Sequence, residues 1–307
     1  MEITVVGAGI SGLTSAFVLK KKGHNVKIIA KELSPFTTSD KAAAFWFPYH
    51  IRNDERGINW CRLSYNKYIM LSTEPLTGVS MQKLIKGILN SDNEDLTWKN
   101  FMPEGSYKVM DTGLAKNYVT QYEVEVPLIE TQIFLPWLMT ELKKMNVEIQ
   151  YEEVKSFHQI KDADILINCS ALGSKQLCND EELIPIRGQV ALIEPNNFPF
   201  IFLDNEIPLY IVPRKDAIII GGTFEEGINF EVCEPETIDK ILINAYKIFP
   251  ELKKQKVIGN WAGLRPYRAT VRVEREGNII HNYGHGGSGF TLAWGCAEEV
   301  SRLVESN

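Results

Sequence analysis

Residues 7–12 read Gly7-Ala8-Gly9-Ile10-Ser11-Gly12 and stand between a β-branched run at 3–6 and a stretch of helical spacing at 13–22 that stops at Gly23. A second strand pattern follows at 26–30. This is a βαβ unit with GxGxxG in its first turn, the dinucleotide-binding arrangement. Gly7 permits the tight turn, Gly9 lets the backbone approach a pyrophosphate, and Gly12 lets helix and strand pack closely. Ala8, Ile10 and Ser11 complete the cofactor-contacting turn, and the unpaired N–H groups of the helix start face the phosphates. An acid about 20 residues on usually meets the ribose hydroxyls. Here Lys31 follows the strand directly and Glu32 comes next. Glu32 suits a ribose contact or a solvated surface position, and Lys31 suits a 2′-phosphate. The turn alone leaves FAD and NAD(P) both open.

The chain has 307 residues, 44% of them hydrophobic, and a net charge of −6. That balance gives no basic footprint for nucleic acid. No apolar run is long enough to predict membrane insertion. The N-terminus starts directly on a strand pattern with no secretion signal, and the five cysteines are scattered without CxxC spacing, so a reduced cytoplasmic protein is expected. The histidines show no metal-ligand spacing, so no metal is expected. Downstream, 51–75, 82–90, part of 127–150 and 235–248 have helical spacing, whereas 184–223 breaks into short strands of antiparallel character. The pattern predicts an α/β chain: a Rossmann-like domain assembled from 1–50, 136–185 and 277–307, with a mostly antiparallel, β-rich domain from 51–135 and 186–276 interleaved. The C-terminal run HNYGHGGSGF, residues 281–290, places four glycines just before a last helix, as a backbone does that lies against a flat ligand.

Six further segments occur in order: TTSDKAAAFWFPY (37–49), INCSALG (167–173), RGQVALIE (187–194), LYIVP (209–213), GLRPYR (263–268) and IIHNYGHGGSGFTLAWGCA (279–297). Together they closely resemble the D-amino-acid oxidase family, which includes D-aspartate oxidases. The resemblance covers essentially the whole chain and is weakest over 75–125. It implies FAD as cofactor, and oxidation of D-amino acids to imino acids by hydride transfer to flavin N5. Electrons then pass to dioxygen, giving hydrogen peroxide, and water converts the imino acid to a 2-oxo acid and ammonia. It further implies that the backbone of Gly286, Gly287, Ser288 and Gly289 runs beside the flavin ring, with Phe290 and Thr291 at the start of the following helix. Thr37, Thr38, Ser39 and Asp40 match a second flavin-contacting loop, although the same stretch suits a helix cap. Ala43, Ala44 and Phe45 would pass the ring, the Val154 backbone would meet the adenine, and Ser170 would lie beside the cofactor. A homodimer is left open.

For the substrate, the resemblance makes Arg265 the carboxylate ligand, Tyr210 the hydroxyl that joins it and the Gly287 carbonyl the acceptor of the amine. A guanidinium suits the first role because it makes two parallel hydrogen bonds to a carboxylate. The chain also departs from the family. The stretch 200–210 is short where vertebrate members resemble each other in a longer lid carrying a second tyrosine. Phe47 stands where vertebrate members have glutamine, and Phe224 where D-aspartate oxidases carry arginine. Phe45, Phe47 and Phe224 therefore predict an apolar pocket for neutral side chains, with His50 and Arg214 the first basic residues to consider should D-Asp be preferred. Arg268, Arg272 and Arg275 are expected to alternate along a strand toward solvent, and nothing in the sequence gives His281 a partner. A glycine or sarcosine oxidase, a D-aspartate oxidase and a D-amino-acid dehydrogenase remain as related readings.

Overall fold

The computed structural model describes residues 1–89, 95–111, 113, 118–204 and 206–306. The N-terminal unit forms as the pattern requires: β1 (Glu2–Val6), α1 (Ile10–Lys21) and β2 (Asn25–Ala30), with β1 and β2 parallel. On one side β1 pairs in parallel with β7 (Ile165–Asn168), and β7 with β14 (Ile279–His285). On the other side β2 pairs in parallel with β6 (Glu148–Tyr151). The run β14–β7–β1–β2–β6 is thus a parallel sheet drawn from the two ends and the middle of the chain. Helix α1 packs against the C-terminal helix α6 (Gly289–Glu305), where the Thr14 hydroxyl donates to the Ala293 carbonyl and Phe17 meets Trp294 edge to face.

One long strand, β13 (Val257–Glu276), joins this parallel run to the rest. Its first half pairs antiparallel with β8 (Ile184–Ile193), and its second half pairs antiparallel with β14. The register shifts between Tyr267 and Arg272, where the strand changes partner. Beyond β8 the sheet continues through β11 (Ile218–Gly221), β10 (Leu209–Pro213) and β9 (Ile201–Asp204), all antiparallel. It ends through β3 (Val79–Ile88), β5 (Thr120–Ile129) and β4 (Tyr107–Val109), and the two-residue β12 (Glu225–Glu226) hangs on β8. The fold is therefore mixed α/β, a parallel Rossmann-like region merged with a mostly antiparallel one.

Both faces of the antiparallel region are covered. Helix α5 (Pro235–Ile248) buries Ile238, Ile241, Leu242 and Ala245, at i, i+3, i+4 and i+7, over one face. Helices α2 (Glu55–Ser72) and α3 (Thr131–Lys144) serve the main core. The helical spacing read at 82–90 is a strand instead, and Asn90 lies outside the described residues. Leu84, Ile85 and Ile88 mimic a helix stripe, yet in β3 Ile85 faces the α5 side while Leu84 and Ile88 face the main core. A strand buried on both faces loses the alternation that would betray it. The expected arginine pattern also changes. Arg268 binds the buried Asp180 carboxylate at 3.0 Å, and Arg272 donates to the Tyr283 hydroxyl at 2.8 Å, so neither simply faces water. His281 has partners after all: Asn168 at 3.3 Å and Glu276 at 3.2 Å. Among the described residues no helix is long and apolar enough to cross a membrane.

Helices α2 and α6 cross at Gly295, where a Cβ would lie 2.3 Å from the backbone of Trp60. Neither helix backbone can yield locally. Gly295→Ala is therefore expected to destabilise the fold by about 1–3 kcal/mol or more, the range for overpacked cores, read as a lowered thermal midpoint.

Candidate active site

The turn after β1 is built by steric exclusion. Gly7 sits at φ +109°, and a Cβ there would lie 2.3 Å from the Cys169 carbonyl oxygen; a Cβ on Gly12 would lie 2.0 Å from that of Gly7. Only glycine at both places lets β1, β7 and α1 approach this closely. The Ser39 hydroxyl accepts from the Ile10 N–H at 2.9 Å, which brings the 37–41 loop against the start of α1. That loop is a helical turn whose cap is internal: the Asp40 carboxylate accepts from the Thr37 N–H and hydroxyl at 2.9 and 2.6 Å. The chain then runs past β5, with Ile129 N–H donating to the Ala44 carbonyl and Trp46 N–H to that of Pro127, both at 2.8 Å. The Thr291 hydroxyl donates to the Phe47 carbonyl at 2.9 Å and so ties this segment to the first turn of α6.

These segments enclose a cavity of about 650 Å³. Of the residues singled out in the sequence, Gly9, Ile10, Ser11, Thr38, Ser39, Ala43, Ala44, Phe45, Phe47, Tyr210, Phe224, Arg265, Gly286, Gly287, Gly289, Phe290 and Thr291 line it. Others stand behind the wall. Gly7, Ala8 and Gly12 shape the turn, Thr37 is held by Asp40, Ser170 donates to Asn168 at 2.6 Å, and the Ser288 hydroxyl donates to the Tyr49 carbonyl. Lys31, Glu32 and Val154 follow the C-terminal ends of β2 and β6 without lining the cavity. Lys31 is exposed and pairs with Glu153 at 3.2 Å.

Arg265 is held from several sides. Its Nη1 donates to the Thr223 carbonyl at 2.9 Å, and its guanidinium lies close enough to the Tyr210 hydroxyl to lower that hydroxyl's pKa. A Cβ on Gly188 would lie 2.3 Å from the guanidinium, and one on Gly221 would lie 2.3 Å from the Tyr210 ring. Two neighbouring strands thus give up side chains to make room for this pair. Burial pushes the Tyr210 hydroxyl pKa up, partly opposed by Arg265, so the phenol stays protonated at neutral pH. The sequence reading missed Tyr49, and it raised His50 only as a basic residue for acidic substrates. Tyr49 lies against Gly287, and burial raises its pKa, partly opposed by the nearby Arg265 charge. It stands in the same matched run as Phe47, but only the fold brings it to Arg265. His285 and Asn282 were missed too.

The cavity suits a large anionic, flat cofactor on its own evidence. The starts of both α1 and α6 open onto it, and neither helix has a side-chain bond from its own N-cap residue. A helix N-terminus favours negative charge. Two residues that line the cavity, His285 and Asn282, each carry a buried polar atom, Nε2 and Oδ1, with no partner among the described residues. Burial lowers the His285 pKa to about 4, so its imidazole is neutral near pH 7 and can offer one hydrogen-bonding nitrogen to a bound group.

Residues 2–303 match the FAD dependent oxidoreductase family model. A D-amino-acid oxidase from Rubrobacter xylanophilus is 34% identical, over 98% of this chain and 94% of its own length. One from the flatworm Dugesia ryukyuensis is also 34% identical, over 99% and 97%. This chain belongs to the D-amino-acid oxidase family of FAD-dependent oxidoreductases. The human D-aspartate oxidase is 29% identical over 99% and 94%. Among solved structures, glycine oxidase from Bacillus cereus superposes with a TM-score of 0.83 at 18% identity, covering 99% of this chain and 94% of the other, a likeness of fold. The protein is an FAD-dependent oxidoreductase.

The crowding at Gly188 gives a test of the site that leaves the core alone. Gly188→Ala must push the Arg265 guanidinium aside, since that side chain is the nearest thing its methyl meets. Because a 1 Å misplacement in such a site costs on the order of 100-fold, binding of simple monocarboxylates, read from the flavin absorbance, is expected to weaken by roughly tenfold or more. Flavin content and thermal midpoint are expected to stay at wild-type values.

Proposed function

We propose that the protein oxidises neutral D-amino acids with dioxygen as acceptor, yielding a 2-oxo acid, ammonia and hydrogen peroxide. The observation that carries this reading is the Arg265–Tyr210 pair, set beside Gly287 in a cavity whose other end is the GxGxxG turn. Bound FAD supplies the two-electron acceptor for the substrate Cα–H bond. It would be held by the turn at 7–12 with Ser39 and Thr38 at the phosphates, and by 43–45 and 286–291 along the ring, with 1–50, 136–185 and 277–307 as its domain.

The chain's own groups do the rest. Arg265 takes the substrate carboxylate through two parallel N–H donors and stays charged when desolvated. The Tyr210 hydroxyl, protonated by virtue of its burial, donates a further hydrogen bond to that carboxylate. The Gly287 carbonyl accepts from the amine, which must be neutral for its lone pair to assist C–H cleavage. With carboxylate and amine both fixed, only one enantiomer presents its Cα hydrogen to the ring. Because that hydrogen leaves with its electron pair while the amine lone pair forms the C=N bond, no side-chain base is required. Catalysis is then chiefly orientation.

Neutral side chains are favoured by what surrounds the clamp. Phe45, Phe47, Trp98, Phe101 and Phe224 line the cavity. The lining cations among the described residues are Arg265 and Lys41, and Lys41 pairs with Glu231. Arg214 is engaged elsewhere, donating to Asp216 at 2.6 Å and to Thr131 at 2.9 Å. Burial and Arg265 both lower the His50 pKa, so near pH 7 it adds little positive charge. D-Ala, D-Met or D-Val is therefore expected to give a higher kcat/KM than D-Asp or D-Glu in side-by-side peroxide assays. A tenfold preference for D-Asp would favour the D-aspartate oxidase reading, and activity confined to glycine and sarcosine would favour a glycine oxidase.

Truncating one partner of a desolvated charge pair costs about 2–5 kcal/mol. Arg265→Ala is thus expected to lower kcat/KM by roughly 30- to several-thousand-fold. Arg265→Lys keeps the charge but loses the fork, so it should restore only part. Tyr210→Phe removes one hydrogen bond to a charged group, about 1.5–3 kcal/mol, and should do less harm. All three should keep FAD. Near-normal efficiency in an Arg265→Ala variant that keeps its flavin would end this reading of the site.

A further inference from the structure

Leu203, Asp204 and Pro208, at the junction of β9 and β10, line the cavity. The Asp204 carboxylate accepts from the N–H groups of Glu206 and Ile207 at 2.8 and 3.1 Å. Asp204 also accepts from Tyr118, whose ring packs on Phe202 within the core beneath α5.

Four aromatic rings stand together where the cavity meets a smaller recess. His50 and Phe224 lie with ring centroids 5.2 Å apart, tilted by 33°. Tyr49 braces His50 edge to face at 4.3 Å, and Tyr267 braces Phe224 at 6.4 Å. His50 and Phe224 are both exposed, Phe224 by 38%, yet both line the large cavity. They also line a small recess of about 40 Å³ on their far side, floored by Arg52, Arg56 and Thr270. Residues that line both hollows stand between them, and His50 and Phe224 do so together with Tyr49, Arg265 and the 285–287 turn. The partition is tied to the clamp, since the carbonyl that accepts from Arg265 belongs to Thr223, next to Phe224.

We propose that the His50–Phe224 pair is the specificity-determining wall of the substrate compartment, setting the largest D-amino-acid side chain that the site accepts. The inference rests on the reading of Arg265 as the carboxylate ligand. A substrate anchored there has its Cα beside Thr223, and a long side chain meets the two rings. Small and medium neutral side chains end short of them, whereas an indole must displace one ring from its stack. Removing either ring merges the compartment with the recess and gives a bulky side chain room.

The test uses the FAD-loaded enzyme and its variants His50→Ala and Phe224→Ala, with Arg265→Lys alongside. kcat and KM are measured for D-Ala, D-Phe and D-Trp by peroxide formation, with flavin content and thermal midpoint recorded on the same preparations. The kcat/KM ratio of D-Trp to D-Ala is expected to rise by about tenfold or more in each alanine variant, mainly through a lower KM for D-Trp, the scale on which a pocket discriminates by size. Phe224→Leu and His50→Asn, which keep part of the bulk, are expected to fall between; they also serve should an alanine variant fail to hold flavin. An unchanged or lowered ratio across the flavin-loaded variants overturns the wall, and so does loss of flavin in all four, which would make the rings structural. If Arg265→Lys retains full efficiency, the anchoring reading has failed. If that variant is impaired while the ratio stays flat, the wall alone has failed.

Discussion

The structure depends on the change of partner within β13. A single strand pairs with β8 through Tyr267 and with β14 from Tyr267 onward, and the register shifts at the crossover. Arg265 lies opposite Ile186 just before the change, and Tyr267 lies opposite His285 at it. The strand that belongs to the antiparallel sheet therefore delivers Arg265 to the residue run that opens α6 on the parallel side. No flexible hinge or loop sets that distance; a continuous hydrogen-bonded ladder does. Strands position a functional group more tightly than loops can, which suits a site whose chemistry is orientation.

The same crossover brings unlike electrostatic demands to one cavity. At one end, the start of α1 presents the positive end of its dipole and so favours negative charge. At the other, a single guanidinium is surrounded by aromatic side chains and by two phenols kept protonated by burial. Glycines let the main chain come close to both: Gly7 and Gly12 at the turn, Gly188 and Gly221 around Arg265 and Tyr210. The two sets serve different ends, for the first pair lets backbone meet backbone and the second lets side chains occupy space that a methyl would fill.

What was legible in the sequence was local or carried whole within a motif. The turn at 7–12 announces itself because its glycines, strand and helix are contiguous. Arg265 and Tyr210 were readable because each stands inside a matched segment. What failed was fixed at long range. β3 is buried on both faces by elements far away in the chain, which erased its alternation. Arg268 and Arg272 alternate like surface residues, but Asp180 and Tyr283 arrive from other elements to engage them. Tyr49 and His50 gain their meaning only when Phe224, from the far side of the fold, packs against His50. Lys31 and Glu32, read from their spacing after β2, are both exposed, and Lys31 pairs with Glu153.

The central claim is that Arg265, Tyr210 and Gly287 together orient a D-amino acid for loss of its Cα hydrogen. The most direct measurement mixes the enzyme, without oxygen, with one neutral amino acid as either pure enantiomer and follows the flavin absorbance by stopped flow. The account predicts rapid and complete bleaching by the D-form and none by the L-form at equal concentration. Bleaching by both at similar rates, or by neither across a panel of neutral amino acids, would contradict it.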